Sequence, residues 1–443
     1  MPRELPTVGK MNLLVDVRKL MNRRGQPRGL SLEKPLTLRA NFTWTFVGNV
    51  IYSASQWGML TVMAKLGSPE MVGRFSLGLA ICAPVVLFAN LQLRVVQATD
   101  AKQDYQFGDY LGVRLVAVLL ALLVIVGILV FSGYPHETAL VILVIGFAKV
   151  FESVSDVMYG LFQKYERMDC IAISKSIKGP LSLFVLGGLV WMTDRVLYGV
   201  LGLAVAWLLL LLVYDLRNAS LLASIRPRID WDTSWRLVRL ALPLGLVTML
   251  ISLNSNVPRY FVERYMGEGK LGYFSAMAYL MVAGNTVVGA LGQSATPRLA
   301  RHYAAGDRRA FSRLLLQLVG IGGAMGVMGV AVAGFFGRPI LALLYRLDYA
   351  AHANVLVWLM AAAGVGYVAS FLGYGMTSAR SFRVQLPLFA VVALSVAAAC
   401  ALLVPKTGLV GAAQASLVGA LLNLAGSAVV VAHALHAVGR RVD

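Results

Sequence analysis

Ionisable side chains lodged in long apolar stretches are the residues of this sequence best placed to do chemistry. At the centre of a bilayer such a group costs about 2.5–3.5 kcal/mol on insertion scales, so each one needs a partner or a function. The stretch over 138–162 holds Lys149, Glu152 and Asp156, with Ser153, Ser155 and Tyr159 among and after them. At i, i+3 and i+7 the three charges share one helix face. A Lys–Glu pair three apart partly neutralises itself, which leaves Asp156 over. Two readings follow: an ion-pair cluster that locks this helix to its neighbours, or a proton- or cation-coupling site in the wall of a wet cavity. The stretch over 240–263 carries Ser252, Asn256, Arg259 and Glu263 on one face. Pro258 removes a backbone hydrogen bond there and predicts a kink beside Arg259, which suits a helix that bends between two access states. An Arg259–Glu263 salt bridge near the surface is the plainer alternative. Asn49, Tyr52, Ser53 and Gln56 form a milder polar face, and Asn90, Gln92, Asn285 and Gln293 add amides. Such amides often bond helix to helix. Their concentration on four helices favours a shared polar cavity instead.

These side chains need apolar helices to carry them, and the composition supplies them. Of 443 residues, 58% are hydrophobic and 14% charged, against roughly half and a quarter in a soluble domain. Apolar runs near the ~20 residues that span a bilayer recur along the chain, separated by short polar punctuation. Backbone in lipid must satisfy its own hydrogen bonds, so these runs are helices. The expectation is an all-α polytopic membrane protein with about twelve transmembrane helices, the first over 42–65 and the last over 409–435.

Lysine and arginine alternate strongly between the loops. The first forty residues hold nine, and the even-numbered loops with the C-terminus bring that side to thirty, against eight in the odd-numbered loops. Arg94, Arg114, Lys175 and Lys178 are counted there as loop residues. Basic residues are retained on the cytoplasmic side, so both termini are expected inside. The net charge of +19 is then mainly an orientation signal. It forms no single patch of the kind that neutralises nucleic-acid phosphate, and no nucleic-acid partner is expected. Residues 11–24 are either an in-plane amphipathic helix or a disordered tail.

The chain also echoes itself. Gly67-Ser-Pro-Glu-Met-Val-Gly73-Arg-Phe75-Ser76 and Gly267-Glu-Gly-Lys-Leu-Gly272-Tyr-Phe274-Ser275 join the first and second, and the seventh and eighth, helices. Two groups of six helices result: a basic segment 1–40, a first lobe 41–216, a cytoplasmic linker 217–239, a second lobe 240–436 and a tail 437–443. An even helix number sends both lobes into the membrane from the same side, so they are related by a pseudo-two-fold along its normal. Two-lobed transporters rock such halves around a midplane site.

Other signals exclude classes. Cys82, Cys170 and Cys400 are isolated, and the five histidines are scattered, so neither a metal nor a disulfide is expected. Gly320-Ile-Gly322-Gly-Ala-Met-Gly326 mimics a nucleotide loop, but no strand precedes it and no Walker lysine follows. Close helix packing explains it better. The longest outer loop, about 338–351, is too small to house the acceptor site of a membrane-embedded glycan polymerase or ligase. Buried charges on a kinked helix argue against a scaffold without transport.

Several segments resemble a known family. They are Ala40-Asn-Phe-Thr-Trp-Thr-Phe-Val-Gly-Asn-Val-Ile-Tyr52 leading to Trp57-Gly58, Lys65 to Gly73, and Glu152-Ser-Val-Ser-Asp156 with Tyr159-Gly160-Leu-Phe-Gln163. Val257-Pro-Arg-Tyr260 through Pro297-Arg-Leu-Ala-Arg301 completes the set. In this order they are similar to bacterial polysaccharide flippases of the multidrug/oligosaccharidyl-lipid/polysaccharide exporter superfamily, in its O-antigen and exopolysaccharide branch, over about 40–436. The resemblance implies a V-shaped pair of lobes around a cationic cavity in the bacterial inner membrane. It implies movement of a polyprenyl-diphosphate-linked oligosaccharide to the periplasmic leaflet, with no enzymatic step and no cofactor. Lys149 and Arg259 would face the lipid diphosphate, while Asn49, Tyr52, Gln56 and Asn256 would meet sugar hydroxyls. Glu152 and Asp156 would couple to H+ or Na+, in a monomeric transporter unit surrounded by membrane lipids. The drug-exporting branch, also twelve-helical, is the rival reading.

Overall fold

A computed structural model describes residues 36–100, 103–379 and 382–439. The basic stretch over 11–24, Lys102, Arg380, Arg440 and Arg441 lie outside the described residues. Helix makes up 90% of the structure and no strand occurs among the described residues, so the protein is an all-α, multi-pass membrane protein. In chain order the helices are α1 (Leu38–Leu66), α2 (Pro69–Asn90), α3 (Leu93–Thr99), α4 (Phe107–Ser132), α5 (His136–Lys164), α6 (Met168–Thr193) and α7 (Val196–Leu210). The last runs through a π-helical turn (Leu211–Asp215) into α8 (Leu216–Ser220). The second half holds α9 (Trp231–Tyr279), α10 (Met281–Ala304), α11 (Arg308–Leu344), α12 (Leu347–Ala350), α13 (Ala353–Ser378), α14 (Phe382–Thr407) and α15 (Leu409–Gly439).

Among the described residues ten helices are long and apolar enough to cross a membrane. The run from Trp231 to Ala304 counts there as one, although it doubles back. Its break is Gly267, at φ 79° and ψ 176°, a backbone region essentially reserved for glycine. Helical dihedrals persist through Pro243 and Pro258, and Gly267 lies in the repeated turn expected between the seventh and eighth helices. Helix α1 is absent from the ten because its polar face lowers its hydropathy. Tyr52 of that face lines the cavity described below. Helix α9 begins at Trp231 and not near 240, capped by Asp230, whose Oδ2 accepts from the Thr233 N–H at 3.0 Å.

The two halves pack alike. In the first, α1 pairs with α6, α2 with α5, α4 with α5, α5 with α7 and α6 with α7; in the second, α9 pairs with α14, α10 with α13, α11 with α13, α13 with α15 and α14 with α15. Each pairing has a counterpart in the same order, which is the internal repeat expressed as packing. The glycine run of α11 serves this packing. A Cβ on Gly326 would sit 2.5 Å from the Gly364 Cα of α13, an approach that only small residues allow.

The halves meet along a broad α2–α9 seam, closed tightly at the end that carries the two repeated turns. A Cβ on Gly73 would lie 1.9 Å from the Glu268 carbonyl oxygen, and one on Gly272 would lie 1.9 Å from the Pro69 carbonyl oxygen. Gly73 and Gly272 stand 199 positions apart, as do Pro69 and Glu268, so the two contacts exchange under the repeat. That is the self-complementarity of a two-fold interface. Arg74 reinforces the closure, with Nη1 2.8 Å from Glu137 and Nε 2.6 Å from Glu268. Arg346 donates to the Gly67 carbonyl at 3.2 Å. The main neighbours of α10 are α11 and α13 of its own half.

Candidate functional site

The α5 face predicted from spacing exists and lines a cavity of about 310 Å³ in the first half. Lys149 Nζ lies 2.7 Å from Glu152 Oε2, and the Tyr52 hydroxyl of α1 donates to Glu152 Oε1 at 2.6 Å. Both carboxylate oxygens are therefore engaged. The Lys149 ammonium also sits 5.3 Å from the Trp207 ring centroid of α7, a contact of the cation–π kind.

Asp156, the carboxylate expected to be left over, has two arginine partners. Arg114 Nη2 is 3.3 Å away and Arg94 Nη1 is 3.6 Å away. Arg114 is fully buried and also donates to Asn90 Oδ1. Arg94 reaches the cavity because α2 stops at Asn90 and not near 94. Leu91 and Gln92 follow with φ of 49° and 50°, a left-handed step uncommon for residues other than glycine. That step turns the chain into α3, where Arg94 donates to Gln163 Oε1 at 3.1 Å.

Helix α6 adds two lysines. It lies close on α1 because Gly48 faces Ala172 and Gly179 faces Tyr52 and Ser55; a Cβ on Gly48 would be 2.7 Å from the Ala172 Cα. Lys175 donates to Asn49 Oδ1 at 2.8 Å and lies 6.0 Å from the Tyr52 ring. Lys178, 2% exposed, donates to Ser155 Oγ at 3.2 Å and to the Tyr159 hydroxyl at 3.3 Å. Asp215, fully buried on the π turn of α7, is an electrostatic partner of Lys178. Gln56 sits one turn along α1 from Tyr52, partly buried.

On α9, Ser252, Asn256 and Arg259 share one face, as their spacing predicts. Asn256 Nδ2 donates to the Ser252 carbonyl at 2.9 Å, and Arg259 Nη1 donates to Asn256 Oδ1 at 2.5 Å and to the Ser255 carbonyl at 3.3 Å. Among the described residues Arg259 makes no ion pair, and its proposed bridge to Glu263 does not form. Asn285 and Gln293 do not join the site: both are exposed on α10, and Gln293 bonds Tyr374 of α13.

Counting the loops hid four of these residues. Arg94, Arg114, Lys175 and Lys178 stand near helix ends in the sequence and read as orientation charges, yet they form the site. The i, i+3 spacing of Lys175 and Lys178 on an apolar helix was the available signal. The cavity is lined by Arg94, Lys149, Lys175 and Lys178 against Glu152 and Asp156, so cations outnumber carboxylates by two before Arg259 is added. A polyanion fits such a wall, and an organic cation is repelled by it.

Comparison with known proteins places the chain in a family. The profile of the family described as "Polysaccharide biosynthesis protein" matches residues 38–302, more than half of the chain. The Staphylococcus aureus "Capsular polysaccharide biosynthesis protein CapF" is 28% identical over 377 residues, covering 84% of this chain and 94% of CapF. Among solved structures, the lipid II flippase MurJ in an inward closed conformation superposes with a TM-score of 0.68 at 13% identity, covering 88% of this chain and 86% of MurJ. An inward-facing multidrug resistance MATE transporter of the MOP superfamily gives 0.65 at 14% identity, covering 89% and 99%. At these identities the two structural likenesses establish the fold.

Proposed function

This chain belongs to the polysaccharide biosynthesis protein family, and from that premise we propose that it flips a polyprenyl-diphosphate-linked oligosaccharide across the bacterial inner membrane by alternating access. One observation carries the proposal: a cavity whose wall holds four cations to two carboxylates, with Arg259 of α9, which makes no ion pair among the described residues, as a further cation. Buried charges without counter-charges are retained only where function needs them. A diphosphate is the group that supplies the missing negative charge, and Lys and Arg bind it as point charge and fork respectively. Asn49, Tyr52, Gln56 and Asn256 stand beside the cations as hydrogen-bonding partners for sugar hydroxyls.

In this reading the ten apolar helices become twelve crossings once α1 is added and the Trp231–Ala304 run is split at its turn. Residues 41–216 and 240–436 are the two lobes, 217–239 is their linker, and 1–40 and 437–443 are cytoplasmic ends of a monomeric unit. The closed end is periplasmic, and the arrangement is inward-facing. No catalytic step is involved. Glu152 is the better placed coupling carboxylate: taking up H+ there, or binding Na+, would free Lys149 to meet the diphosphate. Asp156 contributes to coupling only if its two arginines release it.

The proposal is tested in cells that depend on this protein for surface polysaccharide. Lys149→Glu and Arg259→Glu should each insert normally and abolish the polymer, and Lys149→Arg should retain it. Wild-type polymer in both charge-reversal strains overturns the assignment. The drug-exporting alternative is favoured by its shared fold but opposed by the sign of the cavity.

A further inference from the structure

A second large cavity lies on the opposite face of α2 from the charged one. It is a groove of about 680 Å³ between α2, α4 and α9, walled by side chains such as Phe88, Val116, Leu120, Leu242 and Leu253, with Ser234 supplying the one hydroxyl. Val116, Leu120 and Leu242 are exposed, so the groove opens sideways to the bilayer. On α4 it runs from Gly112 to Val124, about 18 Å at 1.5 Å per residue, which is close to the roughly 15 Å of one leaflet's hydrocarbon.

Its mouth differs in chemistry. Trp231 and Trp235 line it there, 78% and 48% exposed, the side chains that settle at membrane–water interfaces. The Arg239 guanidinium lies 4.9 Å from the Trp235 ring centroid. Arg228, next to the lining residue Ile229, is held by its backbone, whose N–H donates to the Gly108 carbonyl at 2.9 Å; its guanidinium donates to Gln106 Oε1, and its side chain is 55% exposed. Arg236 is exposed on the same turn. The acids nearby are partly committed. Asp230 caps α9, and Asp109 accepts from the Gln106 N–H at 2.9 Å and lies 4.0 Å from Arg228. Asp232 is exposed.

We propose that this groove is a binding site for an anionic phospholipid, its acyl chains against α4 and α9 and its phosphate between Arg228 and Arg239. An apolar slot about one leaflet deep ends in two tryptophans, with Arg239 on the Trp235 ring and Arg228 beside the lining Ile229, and this suits such an amphiphile. The substrate's own prenyl tail is a poorer occupant. Val86, Leu87 and Asn90 of α2 face the charged cavity, while Val85, Phe88 and Leu91 face the groove. The seam between them is shut: Gly245 of α9 abuts Leu91 and the Phe88 carbonyl, and Thr248 donates to the Leu87 carbonyl at 3.4 Å. Because α2 and α4 belong to one half and α9 to the other, a lipid held there bridges the parts that must move.

Native mass spectrometry of the full-length protein, titrated with phosphatidylglycerol and with phosphatidylcholine, tests the site. Wild type should retain phosphatidylglycerol better, Arg228→Ser with Arg239→Ser should lower that retention by about tenfold, and Ala117→Trp, which fills the groove, should reduce both lipids. Equal retention of the two lipids by wild type overturns the proposal, as does unchanged retention in the arginine double variant. Displacement of phosphatidylglycerol by a polyprenyl phosphate would overturn it in favour of the substrate tail. Lys149→Glu should leave lipid retention intact, so failure of the transport reading and failure of this one are distinguishable.

Discussion

Asp156→Ala is expected to destabilise the protein by about 3 kcal/mol, more than Lys149→Ala or Lys175→Ala. Its effect falls on Arg114, which is 0% exposed and would keep only Asn90 as a polar partner. The Arg114 Nε already has no hydrogen-bond partner, so the guanidinium cannot turn to another acceptor without moving its helix. Removing one member of a buried ion pair typically costs about 3–5 kcal/mol, because the other charge stays behind unpaired. The low end applies because Asp156 itself is 29% exposed. Thermal unfolding of the purified protein checks this. Arg114→Met with Asp156→Ala should recover part of the loss, since the orphaned charge is gone, and the two changes should be far from additive. A wild-type midpoint for Asp156→Ala would mean that the arginine network does not hold this part of the first half together.

The second large effect belongs to the closed end. Gly73→Ala and Gly272→Ala each insert a methyl 1.9 Å from a backbone oxygen of the other turn, so the turns must separate. Overpacking of this kind costs typically about 1–3 kcal/mol, and here only the state with the turns in contact bears it. By symmetry the two variants should behave alike. Each should shift the population away from the closed arrangement by about tenfold to a hundredfold, and Arg74→Ala should act in the same direction by uncoupling Glu137 and Glu268. Ser275, 2% exposed beside the turn, reports the change: a cysteine placed there should react with a water-soluble maleimide at least tenfold faster in the Gly272→Ala background. Equal labelling rates would show that the contact is dispensable.

The features legible in the sequence are those with local periodicity. Lys149, Glu152 and Asp156 were found together because one helix carries them, and the repeated turns were found because glycine and Phe-Ser recur at matched spacing. The partners of these groups were not legible. Arg114 meets Asp156 across two helices, and Lys175 meets Asn49 across two others; no spacing rule links residues that far apart. The left-handed step at Leu91–Gln92 involves no glycine, so nothing marked the end of α2 that aims Arg94 at the cavity. Counting loop charges assigns three cavity cations, Arg94, Lys175 and Lys178, and the buried Arg114 to orientation. Helix α1 is legible as the first apolar stretch, over 42–65, although its polar residues take it below the apolarity of its neighbours. Helical dihedrals continue through Pro258, and the turn at Gly267 is marked by glycine because its φ of 79° is one that other residues rarely adopt.

The central claim is that the cationic cavity carries a lipid-linked diphosphate through the membrane. Its most direct test is translocation in proteoliposomes loaded with a fluorescent polyprenyl-diphosphate oligosaccharide, scored by the fraction that a membrane-impermeant quencher reaches. Wild-type protein should move it, Arg259→Glu with Lys149→Glu should fall to the rate of protein-free vesicles, and an organic cation should neither be carried nor compete. Transport of the diphosphate lipid by the doubly reversed variant at the wild-type rate, or transport of the cation in its place, would contradict the account.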